Sequence, residues 1–299
     1  MKFVDIKNDI AFRKIFGNEN KKEILISFLN AVLELPKGKK IKKVEIKNPF
    51  QMPEIKGLKS SILDVRATDE RHISYIVEMQ VEEFDGFDKR VQYYTAKQYS
   101  SQISKGDDYP QLNQVIFIGI LDYTFFMDDN DYITRHRTIN VKTQKSTLNG
   151  LEYNFIELTK FTKELKNCIT LVDKWIYFIK NAPNLDVIPA DVEDAGLKHA
   201  YEDADRHNWT QDELDAYHYA EMRRQDEKGK IELAVKKGIE KGIEKAVEKA
   251  VEKTIEKTIE KTVIEFYKNG VSTEIISKST QLSVDQITDI LIRNNLITK

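Results

Sequence analysis

The stretch "SILDVRATDERHISYIVEMQVEEF" (residues 61–84) decides the fold and raises the question of function. Its two apolar runs have the length and β-branched content of buried strands, with turn-forming polar residues between them. Asp64 nevertheless falls inside the first run, and Glu78 and Gln80 fall inside the second. With the hairpin tip at Glu70, Arg71 and His72, antiparallel pairing opposes Asp64 to Glu78, a register that can slip by one residue. Side chains alternate along a strand, so Glu78 and Gln80 share a face with Ile76, while Val77, Met79 and Val81 take the other.

Opposed side chains have Cβ atoms about 4.5–5.5 Å apart, and like charges there repel. Three arrangements relieve the repulsion: one acid is protonated, a basic side chain lies between the two, or they hold a cation. Two carboxylates with a main-chain carbonyl, here that of Met79, form the hard oxygen set that Mg²⁺ prefers. Such an ion polarises a phosphodiester and lowers the pKa of a bound water, and Gln80 would point at that water. The structural alternative is that Asp64 and Glu78 are edge charges neutralised by Arg66, Arg71 or Lys59.

Outward from this stretch, residues 9–35 carry apolar side chains at helical spacing up to Pro36, as one long helix or two broken at "GNEN" (residues 17–20). Residues 41–48 alternate like a half-exposed strand, and 87–105 return to a helical pattern that Gly106 ends. "VIFIGIL" (115–121) is a fully apolar strand, 136–143 and 151–158 are weaker ones, and 170–181 form a helix. This order predicts an α/β core with a central mixed sheet flanked by helices over residues 1–181. An acidic region of helices and loops follows at 182–227.

From Gly238 the chain repeats GIEK, GIEK, AVEK, AVEK, TIEK, TIEK, within a charged helix spanning 228–268. Four residues turn an α-helix by about 400°, so the stripe from Ile239 to Ile259 drifts by about 40° per repeat. No straight coiled-coil seam results, and the segment reads as a solvated spacer. Residues 269–299 predict a helix-turn-helix-like module, with Ser272 as an N-cap and Ser283 with Gln286 as a capping box. Asp285 and Asp289 on its second helix make it a poor phosphate grip; protein contact or a helical cap suits it as well as DNA, and it is a candidate for homo-oligomer contact.

The 299 residues, 40% of them hydrophobic, suffice for a globular core. One cysteine, Cys168, excludes an intrachain disulfide, and the opening residues lack the apolar core of a secretion signal; a cytoplasmic setting is expected. No apolar run reaches the length of a membrane span. The net charge of −2 hides a basic first sixty residues, with fourteen Lys or Arg against seven Asp or Glu. Residues 186–227 reverse this, with four against thirteen. The basic end attracts nucleic acid or simply solvates a surface. His199, His207 and His218 lack zinc-ligand spacing, and no Gly-rich phosphate loop occurs.

"KNDIAFRKIFG" (7–17), "ILDVRATD" (62–69), "YIVEMQ" (75–80), "RVQYYTAKQYSSQISKGDDYPQL" (90–112) and "VIFIGILDY" (115–123), in this order and spacing, resemble the PD-(D/E)XK nuclease superfamily. Within it they are most similar to the recombination-promoting nuclease, or transposase-related, family of bacteria. The resemblance implies a restriction-endonuclease-like core acting on double-stranded DNA with Mg²⁺, for which Mn²⁺ can substitute. It makes Asp64 and Glu78 the metal-binding acids and puts Gln80 where most of the superfamily has lysine. Leu63 stands where the motif has proline.

Asp9 and Lys14 match positions near the active site, and Lys14 would neutralise phosphate or remain a helix-surface lysine. Arg90 would grip the scissile phosphate or pair with Asp88 or Glu83. Tyr93, Tyr94 and Tyr99 read as core packing rather than base stacking. The function expected is a DNA endonuclease of low sequence specificity; the alternative is a weak or inactive DNA-binding protein on the same fold.

Overall fold

The computed structural model describes residues 2–47, 50–51, 61–62 and 64–298. Leu63 and Lys59 lie outside the described residues, as does Asn48 at the end of the first predicted strand. The chain divides into two compact units, residues 1–223 and 224–299.

The first unit opens with two helices, α1 (Asp9–Phe16) and α2 (Lys22–Leu33), so the predicted helix is broken at Gly17–Asn20. Asn8 caps α1 by accepting from the Ile10 and Ala11 amides. Strand β1 (Val44–Lys47) follows, and β2 (Phe50–Gln51) pairs with β3 (Ser61–Ile62) in a separate two-stranded sheet. Next come β4 (Val65–Asp69), β5 (Ser74–Gln80), α3 (Phe87–Ser100), β6 (Val115–Leu121), β7 (Ile133–Arg137), β8 (Leu151–Glu157), α4 (Leu171–Asn181) and α5 (Ala195–Ala204). Helix α6 (Gln211–Lys268) begins in this unit.

The six-stranded sheet has the order β1-β4-β5-β6-β8-β7. It is parallel across β5, β6 and β8 and antiparallel at both edges, the mixed sheet that the sequence predicts. Both faces are covered, which is why β6 in its middle reads as uninterrupted apolar sequence. Tyr75, Val77 and Met79 of β5 join the large core with α1, α2, α4 and α5. Ile76 turns to the other face, with Phe87, Val91 and Tyr94 of α3. Gly119 of β6 lies beside Glu78 in the parallel register, and a side chain there would press on the Phe117 and Phe155 rings, 3.0 and 3.1 Å away.

The β4–β5 hairpin keeps the expected register, with Val65 opposite Val77 and Thr68 opposite Ser74. Its three-residue tip is Glu70, Arg71 and His72: the Asp69 amide donates to Ile73 O, and His72 takes the left-handed conformation at φ 63°. Asp69 organises the turn by accepting from the Arg71 and Ile73 amides.

Four expectations are corrected. Asp64 is not mid-strand; it forms a bend between β3 and β4. Helix α3 ends at Ser100 rather than 105, where the Ser100 and Ser101 hydroxyls bond back to the Lys97 and Gln98 carbonyls. Strand β7 lies at 133–137 rather than 136–143, because the Asn140 side chain accepts from the Lys142 and Thr143 amides and turns the chain. Tyr94 and Tyr99 pack in the α3-side core, but Tyr93 is 41% exposed.

The segment after Asn181 also belongs to the first unit. Leu197, Ala200 and Tyr201 of α5 are buried in the large core. Gly196 permits the close approach of α2: a Cβ there would sit 2.5 Å from Glu23 O and from Ser27 Cβ. The Ser27 hydroxyl donates to Asp194 Oδ1 and accepts from Trp175 Nε1, tying α2, α4 and the α5 cap together. The long helix starts at Gln211, earlier than the repeat suggests, because Thr210 and Glu213 cap it reciprocally.

In the second unit Ile239, Ile243, Val247, Val251 and Ile255 are each more than half exposed along α6. A small core of Val263, Ile276, Ile287 and Leu291 joins the end of α6 to α7 (Thr273–Thr280) and α8 (Val284–Arg293). The predicted Ser283–Gln286 capping box is present on α8. Among the described residues no helix is long and apolar enough to cross a membrane.

Candidate active site

Glu78 is positioned by β5, the strand between β4 and β6, and Asp64 by the bend that opens β4. The two are joined by a reciprocal clasp: the Asp64 amide donates to Glu78 Oε1 (3.1 Å), and the Met79 amide donates to Asp64 Oδ2 (2.9 Å). Each carboxylate is thus oriented by main chain at the other's position. Their side chains are 9% and 8% exposed, so little water screens them. Burial raises the Asp64 carboxyl above the usual range, against the Met79 amide and Arg13, which lower it. Burial and the neighbouring Asp64 push Glu78 up to about 8.

Two arginines flank the pair. Arg13, from α1, donates Nη2 (2.9 Å) and Nε (3.2 Å) to Asp64 Oδ1. Arg90, on α3, has Nη2 3.8 Å from Glu78 Oε2 and lies over the Phe84 and Tyr94 rings. The sequence pairs Arg90 with Asp88 or Glu83 as its structural alternative; the structure brings it to Glu78 instead. Arg13 went unmarked in the sequence, although it lies inside "KNDIAFRKIFG", one turn after Asp9. The cations expected to neutralise the acids are occupied elsewhere: Arg71 pairs with Asp69 at the hairpin tip, and Arg66 donates to Gln98.

The other predicted residues divide. Asp9 is close enough to Asp64 for its charge to raise the Asp64 carboxyl. Lys14 turns to Glu213 and lies 5.0 Å over the Trp209 ring. The α1 cap residue Asn8 donates to Tyr217 O (3.2 Å), and Tyr217 Oη accepts from the Asp5 amide, so α1 is fastened to the first turns of α6. Gln80 is half-buried on the Glu78 face, its Nε2 donating to Glu82 O (2.9 Å). Cys168 is buried, and His199 pairs with Glu23.

Among the described residues no group of three or more His, Cys, Asp or Glu converges as a metal cluster. The acid pair offers two carboxylates, each with one oxygen tied to an amide and one turned to an arginine. Two adjacent, buried carboxylates are the hard oxygen donors that a divalent ion takes, and the arginines facing them are its competitors.

A mixed sheet flanked by helices, with two acids meeting at a hairpin beside its parallel centre, is the restriction-endonuclease-like fold of PD-(D/E)XK nucleases, enzymes that generally use divalent metal ions. The family model described as PD-(D/E)XK nuclease family transposase matches residues 6–234, and the chain belongs to that family. Comparisons with curated proteins and with solved structures found no match.

Proposed function

We propose that the protein is a Mg²⁺-dependent DNA endonuclease of low sequence specificity, with Mn²⁺ able to substitute. The observation that carries this reading is the main-chain clasp that holds Asp64 and Glu78 side by side out of water. Asp64, Glu78 and the Met79 carbonyl would hold the ion, which supplies charge stabilisation and a more acidic water. Gln80, on the same face, orients that water through its carboxamide, and Arg90 offers its guanidinium to the scissile phosphate. The basic first sixty residues supply phosphate contacts, which hold a duplex without reading its sequence.

A second reading, a weakly active or inactive DNA-binding protein, draws on Gln80. An amide there supplies no positive charge to a developing phosphorane, and its Nε2 is engaged by Glu82 O.

Supercoiled plasmid separates the two. Nicking by the wild type in Mg²⁺ and its fall by at least about a hundredfold in Asp64→Ala and Glu78→Ala are expected. Nicking that persists in both variants sinks the site assignment, and a wild type that binds plasmid without nicking it favours the second reading.

A further inference from the structure

The four carboxylate oxygens of the acid pair are of two kinds. Asp64 Oδ2 and Glu78 Oε1 accept from main-chain amides, which fix their direction. Asp64 Oδ1 and Glu78 Oε2 face guanidinium groups, Arg13 at 2.9 Å and Arg90 at 3.8 Å. The oxygens a divalent ion would take are therefore the ones that arginines neutralise. An ion and Arg13 cannot both keep Asp64 Oδ1 at full strength, because their like charges repel. The Arg13 side chain is 42% exposed and that of Asp64 only 9%, so the arginine is the partner free to move. Released, it remains on α1 beside the acids, with a planar fork suited to a phosphate.

We infer that Arg13 is an exchangeable phosphate-binding residue, held on Asp64 in the metal-free protein and handed to the DNA backbone when a divalent ion displaces it. The inference rests on the nuclease reading above. It makes metal and duplex cooperative ligands, since each favours the state with Arg13 off Asp64, and such coupling is reciprocal.

Two measurements on the full chain test it: calorimetric titration with Mn²⁺, and fluorescence anisotropy of a short labelled duplex at constant ionic strength in EDTA or Ca²⁺, with duplex integrity checked on the same samples. Arg13→Gln is expected to bind Mn²⁺ about fivefold tighter, having no internal cation to displace. Its gain in duplex affinity from Ca²⁺ is expected to shrink about threefold relative to wild type, with partial recovery in Arg13→Lys. Wild-type Mn²⁺ affinity together with a wild-type Ca²⁺ gain in Arg13→Gln overturns the exchange and leaves the nuclease reading intact. Absence of Mn²⁺ uptake by the wild type overturns both.

Discussion

With Asp64 beside it and little water around it, Glu78 holds a proton more tightly than an ordinary glutamate, and its carboxyl is pushed up to about 8. An unfolded chain returns it to the ordinary glutamate value of 4.5, so between these values the folded protein binds more protons than the unfolded one. Its contribution to stability is complete below pH 4.5 and is lost as pH rises through about 8. Thermal midpoints of the metal-free protein should accordingly fall across this window, and Glu78→Gln should flatten the fall; equal slopes for both proteins would contradict it. The pair was legible in the sequence because a strand's two-residue alternation puts Glu78 and Gln80 on one face and the short tip fixes what Asp64 meets. Arg13 was not, because helical spacing tells which residues share a helix face but not which strand end that face meets.

Among the elements, the approach of α5 to α2 depends on one missing methyl. A Cβ at position 196 would meet the Glu23 carbonyl oxygen at 2.5 Å, a contact that only movement of the helix backbone can relieve. Gly196→Ala should therefore cost about 1–3 kcal/mol in chemical denaturation, despite its better helix propensity. An unchanged or raised denaturation midpoint would show that the two helices do not pack this closely. Strands β4, β5, β6 and β8 were legible because two of them are apolar runs on either side of a short polar turn and the others are bounded runs of strand-forming residues. Strand β7 was misplaced because Ile139 and Val141 imitate alternation, whereas the Asn140 side chain closes a turn around them. Asp64 was read as mid-strand because apolar neighbours surround it, and sequence does not show that the chain bends there.

For the whole molecule, acidic composition concealed how much of the core lies after Asn181. Residues 182–227 read as a separate acidic region of helices and loops, yet Leu197, Ala200, Tyr201, Trp209 and Tyr217 are buried in the same core as the sheet. A fragment ending at residue 181 leaves the α2 face that receives α5 bare, and it should aggregate during expression; a fragment ending at 223 should stay monodisperse by light scattering. Equal behaviour of the two would mean that α5 is dispensable to the core. The fastening of α1 to the start of α6 bears on inheritance as well as folding. Asn8 reaches Tyr217 across 209 positions of sequence, and Lys14 reaches Glu213 from the residue next to Arg13. The aim of the guanidinium at Asp64 thus rests on contacts encoded in both halves of the gene.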